Sequence, residues 1–253
     1  MPSPFDFTDR RVLVTGGSRG LGRAMALGFA RAGADVAIAS RKLDACERVA
    51  AEIRAMGRLA RAVACNVSRW QELDALVEAV YSPDLGLGGL DVLVNNAGMS
   101  PLYDSLESVT EELFDKVIAV NLKGPFRLSA LVGRRMVESG GGVILNVSSI
   151  AAVQPAPDAA PYGAAKAGLE SLTRSLAFAL GPTVRVNCIE AGPFFTDVSR
   201  HWNLEAFADR AEHDIALRRG GEPEEIVGAA LYLASEGASF TTGAVLRVDG
   251  GSR

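Results

Sequence analysis

The sequence predicts an α/β fold: a single-domain, Rossmann-like, doubly wound parallel sheet of about seven strands with helices on both faces. Three observations carry this expectation. Short apolar, β-branched runs alternate with helical patterns along nearly the whole chain, and such alternation builds right-handed βαβ units. The strand runs are apolar on both faces, as suits a sheet covered by helices on each side. No Pro/Ser-rich linker or internal repeat divides the 253 residues, so one domain spanning 1–253 is expected.

In chain order, the clearest strands are Val12–Val14, Val36–Ala39, Ala62–Ala64, Val92–Val94, Val143–Val147, Val184–Asn187 and Val245–Val248. Between them run helical patterns with recognisable stops. Gly33, Gly57 and Gly181 each follow one, where a glycine just past the helix is favoured. The glycine-rich Asp84–Gly89 reads as a short helix-to-strand loop. The segment from about 192 to 221 breaks the alternation, with Phe194, Phe195, His201, Trp202 and Phe207 among polar residues. An irregular insert after a strand's C-terminal end lies where open α/β sheets bind ligands. A substrate lid is therefore expected there rather than an ordinary surface excursion.

Composition bounds the function. Apolar residues make up 48% of the chain and charged ones 22%, which supports a substantial core and excludes general disorder. Lys and Arg number 26 against 30 Asp and Glu, a formal charge of −4. That balance argues against a nucleic-acid partner. Cys46, Cys65 and Cys188 are odd in number, widely spaced and without a CxxC. They make neither a disulfide framework nor a zinc cluster, and a reducing compartment is the simplest reading. With His201 and His213 the only histidines, a His-rich metal site is not expected. The N-terminus lacks a basic, then apolar, leader, and no run approaches the roughly 20 apolar residues of a membrane span. A soluble, cytoplasmic protein follows.

After the first strand comes Thr15-Gly16-Gly17-Ser18-Arg19-Gly20-Leu21-Gly22, leading into a helix. Glycines at 16, 20 and 22 let the chain turn sharply, let a phosphate approach the backbone and seat the helix close to the sheet. The N–H groups and positive dipole at the helix start favour a pyrophosphate. The same residues also spell G-x-S-x-G through Gly16, Ser18 and Gly20, the nucleophile-elbow pattern of a serine hydrolase. That rival takes Ser18 as nucleophile; with Asp197 or Asp214 as the acid a Ser–Asp–His order is hard to assemble, and Asp197 before His201 or His213 is what satisfies it. It leaves the remaining motifs without a role.

Those motifs converge on one sheet edge. Tyr162 and Lys166, four residues apart, share a helical face. A phenol with a pKa near 10 works poorly at neutral pH unless a cation stabilises its anion. At about 5 Å and an effective dielectric near 20, one lysine contributes roughly 3 kcal/mol, enough to bring the phenol into range for general acid–base work. Ser148 and Ser149 end the strand Val143–Val147, and Asn95-Asn96-Ala97-Gly98 follows Val92–Val94 on the same side. Asn121 lies in the helical stretch beyond. Each has a bland reading as cap or turn former, but those readings leave the convergence unexplained.

From Arg11 to Val248-Asp249-Gly250-Gly251 the chain resembles the short-chain dehydrogenase/reductase family in its compact single-domain branch, in general appearance the 3-oxoacyl-(acyl-carrier-protein) reductase-like members. The family's T-G-x-x-x-G-x-G corresponds to Thr15–Gly22, its N-N-A-G to Asn95–Gly98 and its Y-x-x-x-K to Tyr162–Lys166. The resemblance implies a catalytic set of Asn121, Ser149, Tyr162 and Lys166. Tyr162 would pass a proton to or from the substrate oxygen as hydride moves at the nicotinamide. Lys166 would lower the phenol's pKa and bond the nicotinamide ribose, Ser149 would orient the carbonyl, with Ser148 as a helper, and Asn121 would hold a relay water. Gly16, Ser18, Arg19, Gly20, Leu21, Gly22, Asn95, Ala97 and Gly98 would line the cofactor cleft. Two departures stand out. Ala191-Gly192 replaces the usual Pro-Gly, although Gly192 and Thr196 still match the nicotinamide-side loop. Asn66-Val67 replaces the usual Asp-Val near the adenine, where an amide oxygen can still accept from the adenine amine.

The tip of the second strand, Ser40-Arg41-Lys42, carries no acid to bond a ribose 2′-hydroxyl. Arg41, with Arg19 from the glycine turn, could instead pair with a 2′-phosphate. NADP(H) is expected over NAD(H), with NAD(H) open. Phe194, Phe195, Trp202 and Leu204 hint at an apolar pocket for a small carbonyl or alcohol substrate, a 3-oxoacyl thioester among the candidates. Small residues at Ala164, Ala165, Ala167 and Gly168 would let another helix pack closely, and the family usually forms tetramers or dimers. A nucleotide-sensing protein without turnover is the other rival, and an intact Ser149–Tyr162–Lys166 set argues against it.

Overall fold

The computed structural model describes residues 5–154, 156–197, 199 and 202–253. Among these, β1 (Arg11–Thr15), β2 (Asp35–Ser40), β3 (Ala60–Ala64), β4 (Val92–Asn95), β5 (Gly142–Ser149), β6 (Val184–Ala191) and β7 (Val245–Val248) pair in parallel. They form one sheet in the order β3-β2-β1-β4-β5-β6-β7. The expected doubly wound sheet is thus observed, with each anticipated strand in place. The chain runs outward from β1 to β3, then returns to lay β4 against the other side of β1. That reversal leaves a crevice beyond the C-terminal ends of β1 and β4, the place where such sheets bind ligands.

Period-two alternation sends successive strand residues to opposite faces, and each face has its own core. Val12 and Val14 of β1 join a cluster with Met25 and Phe29 of α1 (Gly20–Arg31), Ile53 of α2 (Leu43–Ala55) and Leu233 of α8 (Val227–Ala234). Leu13 faces the other way. It joins Leu76 of α3 (Trp70–Tyr81), Val132 of α5 (Gly124–Glu138) and Leu176 of α6 (Ala160–Leu180). Burial on both faces explains why the strands read as continuous apolar runs. Before α5, helix α4 (Glu111–Ile118) continues through a π turn, Ala119–Lys123. None of the described helices is long and apolar enough to cross a membrane.

Two of the three helix-stop glycines behave as expected, Gly33 at φ +104° and Gly57 at φ +80°. Gly181 does not: it is extended at φ −65°, ψ 158°, because Pro182 follows and the residue before a proline is driven out of helical space. The described residues between 192 and 221 are less irregular than the sequence suggests. They contain α7 (Leu204–Asp214), capped by Asn203, whose Oδ1 accepts from Glu205 N and Ala206 N at 3.1 Å. Phe207, Ala211 and Ile215 form a small separate core with Phe195 and Trp202 packed on it. Rings of Trp202 and Phe207 lie 4.9 Å apart, those of Phe195 and Phe207 5.6 Å. Phe194 is buried in the main core. The aromatic residues read as hints of a substrate pocket therefore hold this segment together, while Leu204 is exposed. His201 lies outside the described residues.

Candidate active site

The glycine turn is shaped by close approach. Gly16 adopts φ +65° and Gly20 φ +52°, backbone that a side chain would strain. A Cβ at Gly22 would lie 2.3 Å from Gly16 O and 2.4 Å from Asn96 Nδ2. Helix α1 begins with no side-chain cap and no acid in its first turn, so its first N–H groups suit an anion. Leu21 packs against the core. Arg19 is exposed, with Nη1 3.7 Å from Asp197 Oδ2 in the segment after β6. The guanidinium expected at a 2′-phosphate thus faces an acid across the crevice.

Thr15 and Asn96 lock this turn to the loop after β4. Thr15 Oγ1 accepts from Asn96 N at 3.1 Å and Ala97 N at 3.2 Å, and Asn96 Nδ2 donates to Thr15 O at 3.0 Å. The neighbouring Asn95, expected at the cofactor, turns its side chain into the protein. Its Nδ2 donates to Ser129 Oγ and Asn146 Oδ1, both at 2.9 Å, and Asn146 continues to Thr173 Oγ1 at 2.9 Å. Strand alternation explains the division: Asn95 ends β4 facing α5 and α6, and Asn96 turns back over β1.

Asn121 is fully buried in the π turn. Both its amide hydrogens are engaged, with Met99 O at 2.8 Å and Val117 O at 2.9 Å, and its Oδ1 accepts from Met99 N at 3.2 Å. The side chain therefore pins the loop after β4 to the helix, and only its oxygen is left to take a further partner. A Cβ on Gly98 would lie 3.0 Å from that oxygen and 3.6 Å from Lys166 Nζ. Gly98 is the contact point of these two side chains.

Ser149 ends β5, its Oγ accepting from Ala151 N at 3.2 Å, and lies against Tyr162 near the start of α6. Lys166, one turn further on, is buried, with Nζ 5.6 Å from the Tyr162 ring centroid and donating to Val147 O at 2.7 Å. Ser148 points the other way, its Oγ donating to Glu170 Oε1 at 2.8 Å. The electrostatics differ from the sequence expectation. Burial pushes the Tyr162 phenol above its ordinary value of 10, and the Ser149 hydroxyl pulls it back. Burial also pushes Lys166 down to about 8. Desolvation outweighs the attraction that the spacing suggested.

The remaining candidates divide. Gly16 N donates to Ala39 O at 2.8 Å, so Ser40 and the exposed Arg41 follow directly beside the glycine turn. Ser40 Oγ meets Cys46 Sγ at 3.0 Å. Asn66 Oδ1, expected at the adenine, accepts from Ser68 N at 3.2 Å and Ser68 Oγ at 2.9 Å, which fills both of its acceptor positions. Val67 packs on the second core cluster. Gly192 admits the C-terminal segment: a Cβ there would lie 2.5 Å from Asp249 Cα. Thr196 faces the turn, its Cβ 3.4 Å from where Gly20 would carry one. Ser18 is half-buried in the turn, while His213 bonds within its own helix, Nδ1 to Asp209 O at 2.8 Å. Sequence reasoning gave no role to Tyr103, whose hydroxyl donates to Pro157 O and accepts from Ala160 N, both at 2.7 Å. That bridge fixes the first turn of the helix carrying Tyr162, and no local pattern around Tyr103 foretells it.

Comparisons with known proteins agree with this fold. A family model described as Enoyl-(Acyl carrier protein) reductase matches residues 16–253. Human Dehydrogenase/reductase SDR family member 4 is 36% identical over 242 residues, 95% of this chain and 86% of that protein. A short-chain type dehydrogenase/reductase from Mycobacterium marinum superimposes with a TM-score of 0.90 at 33% identity, over 98% of this chain and 96% of that one. A 7α-hydroxysteroid dehydrogenase solved with NADH and 7-oxo glycochenodeoxycholic acid gives 0.94 at 34% identity, over 100% and 98%.

Proposed function

This chain belongs to the short-chain dehydrogenase/reductase family, and from that premise we propose that it is an NADP(H)-preferring oxidoreductase interconverting a carbonyl and a secondary alcohol, with Tyr162 as general acid/base. The observation that carries the reading is the meeting of three elements at one crevice. The end of β5 brings Ser149, the start of α6 brings Tyr162 and Lys166, and the loop after β4 brings Gly98 against Asn121. The uncapped start of α1 and its glycine turn fit a dinucleotide pyrophosphate.

When bound, the nicotinamide supplies or accepts the hydride. Tyr162 gives its phenolic proton to the carbonyl oxygen in reduction, or takes it from the alcohol in oxidation. The Ser149 hydroxyl donates to the same oxygen and holds it in register. Lys166 keeps one N–H on Val147 O, which leaves two for a ribose hydroxyl. Asn121 acts chiefly by holding Met99 and the loop that borders the ribose, and its oxygen is the acceptor for a relay water. Residues 192–221 act as the lid, with Thr196 facing the glycine turn.

The preference for NADP(H) rests on Ser40-Arg41-Lys42, which places no acid at the tip of β2. Arg41 then takes the 2′-phosphate, and Arg19 joins it by exchanging Asp197 for the phosphate. A 3-oxoacyl thioester is the leading substrate class. Association as a homotetramer or homodimer uses the outer side of α6, where Ala164 and Ala167 are exposed. Ala165 is instead buried in the chain's own core, and Gly168 packs against Leu122. Three buried, unpaired cysteines suit a reducing cytoplasmic setting.

The test is a side-by-side titration of NADPH and NADH by nicotinamide fluorescence, followed by turnover of Tyr162→Phe. Tighter NADPH binding, with Tyr162→Phe losing roughly 10²–10⁴-fold in kcat but still binding cofactor, is the expected result. Tighter NADH binding overturns the ribose assignment, and binding of neither overturns the oxidoreductase reading.

A further inference from the structure

Tyr162, Lys166 and Glu170 follow one another at four-residue steps along one side of α6. The third has no part in the chemistry above, yet it is a carboxyl group with 6% of its surface exposed, and burying a charge without a partner is costly. Its surroundings are built across three strands. Ser148 of β5, Glu190 of β6 and Arg247 of β7 lie side by side in register, and the parallel pleat sends all three toward α6. Glu170 reaches down onto this row. Its Oε1 accepts from Ser148 Oγ at 2.8 Å, and it shares a hydrogen bond with Glu190.

Two carboxyl groups in contact do not both ionise, because like charges at such range repel strongly. Arg247 stands on the Glu190 side of the pair. Its Nε lies 2.5 Å from Glu190 Oε1 as an ion pair without the alignment of a hydrogen bond, and 3.8 Å from Asp249 Oδ2. Glu170, held above the ordinary carboxylate range, is the group that can take up a proton and donate it to Glu190. Burial first, then the neighbouring Glu190, holds Glu170 above the ordinary carboxylate range, while Ser148 and Arg174 pull it down. On the same face Cys188 stays a thiol, pushed up to about 12 by burial and then by Glu170. Lys166 is a further cation facing this group of side chains, beside Arg247 and Arg174.

The consequence is mechanical. Ser148 Oγ is also 3.3 Å from Lys166 O, so the residue beside Ser149 is tied to the backbone of the lysine and to the carboxyl one turn below it. We propose that Glu170 is a positioning residue of this site: clasping Ser148 on one side and Glu190 on the other, it fixes the catalytic helix against the ends of β5 and β6 and so sets Ser149 against Tyr162 and Lys166. The inference rests on the oxidoreductase reading above and deepens it. The clasp needs its proton. As pH rises through the folded-state value of Glu170, the bond to Glu190 is lost and the bond to Ser148 remains.

Glu170→Gln separates clasp from charge, since its amide can donate to Glu190 and accept from Ser148 at every pH. Glu170→Leu removes both bonds. The assay uses whichever of acetoacetyl-coenzyme A, a cyclic ketone or an aldonic acid the wild type turns over fastest. Glu170→Leu is expected to lower kcat roughly 10- to 100-fold, as misplacement near 1 Å does, while NADPH affinity stays within about twofold. Adding Ser148→Ala to it should cost nothing more, because the two act as a unit. Glu170→Gln should restore most of the rate and flatten the part of the wild-type pH profile that follows loss of the Glu170 proton, leaving the decline above about pH 8 unchanged.

A Glu170→Gln variant that loses as much as Glu170→Leu, or pH profiles that coincide for Glu170→Gln and wild type, would overturn the proposal. Urea unfolding supplies a readout independent of turnover. Because folding raises the Glu170 pKa above 4.5, the native state holds the proton longer. Wild-type stability must then fall relative to Glu170→Gln as pH rises from 4.5 through the folded-state value. Parallel stability curves would overturn the shared proton. A wild type that binds cofactor weakly and turns over none of the probes would retire the oxidoreductase reading alone, and the unfolding comparison would still decide the clasp.

Discussion

Lys166 Nζ lies 5.6 Å from the centroid of the Tyr162 ring while donating to Val147 O at 2.7 Å. The ammonium thus faces the ring within cation–π range and is anchored to the strand that carries Ser149. Its position is fixed by the sheet rather than by the tyrosine.

That anchoring has a pH signature. Burial lowers Lys166 from 10.5 to about 8. Between those values the unfolded chain holds a proton that the folded chain has lost, so stability rises with pH across the window. The gain should reach about 3 kcal/mol by pH 10.5 relative to Lys166→Met. Urea unfolding of both proteins at pH 7.5, 9 and 10.5 measures it, and a constant difference would show that Lys166 keeps its proton throughout. Turnover that needs the ammonium should decline above about pH 8.

The glycine turn tolerates no added atom at Gly22. A Cβ there would meet Gly16 O at 2.3 Å and Asn96 Nδ2 at 2.4 Å, so Gly22→Ala must part the turn from the loop after β4. A loss of roughly 1–3 kcal/mol is expected from overpacking, with NADPH affinity reduced at least about tenfold because the N–H groups at the start of α1 no longer converge. Calorimetry and a fluorescence titration report the two effects. Wild-type affinity in this variant would count against the turn as the phosphate site.

Tyr103 should affect rate more than stability. Its hydroxyl joins Pro157 O to Ala160 N at 2.7 Å on each side, and Tyr103→Phe removes only that bridge. About 1 kcal/mol is the usual net worth of such a bond. A freer first turn of α6 lets Tyr162 wander, and kcat should fall roughly 5- to 20-fold with little change in cofactor affinity. Equal losses in kcat/KM and cofactor affinity would assign Tyr103 to binding instead.

The three thiols should be silent in the native protein. Cys46, Cys65 and Cys188 are buried, and burial raises all three, Cys65 and Cys188 to about 12. The thiolate is the reactive form, so a chromogenic disulfide at pH 8 should label none of them before denaturant is added and all three afterwards. Fast labelling of the folded chain would place a thiol on a mobile segment.

The sequence by itself determined the seven strands, their order of appearance and the two turns at the crevice. Each of these is written locally, in runs apolar on both faces, in glycines where backbones approach, and in four-residue spacing along a helix. Helical spacing paired Tyr162 with Lys166, and the family resemblance added Ser149 and Asn121 as candidates. What a side chain does with its hydrogen bonds was not legible, because those partners come from strands and helices distant in sequence. Asn95 and Asn96 are adjacent and alike, yet one bonds Ser129 and Asn146 across the sheet and the other Thr15. Arg19 meets Asp197 from far along the chain, and Asn66 is satisfied by Ser68. Only the tertiary structure places Glu170 on the row formed by Ser148, Glu190 and Arg247, since that row exists only after three strands have paired in register. Local pattern sets which elements form; desolvation and long-range contact set the protonation and role of each buried group.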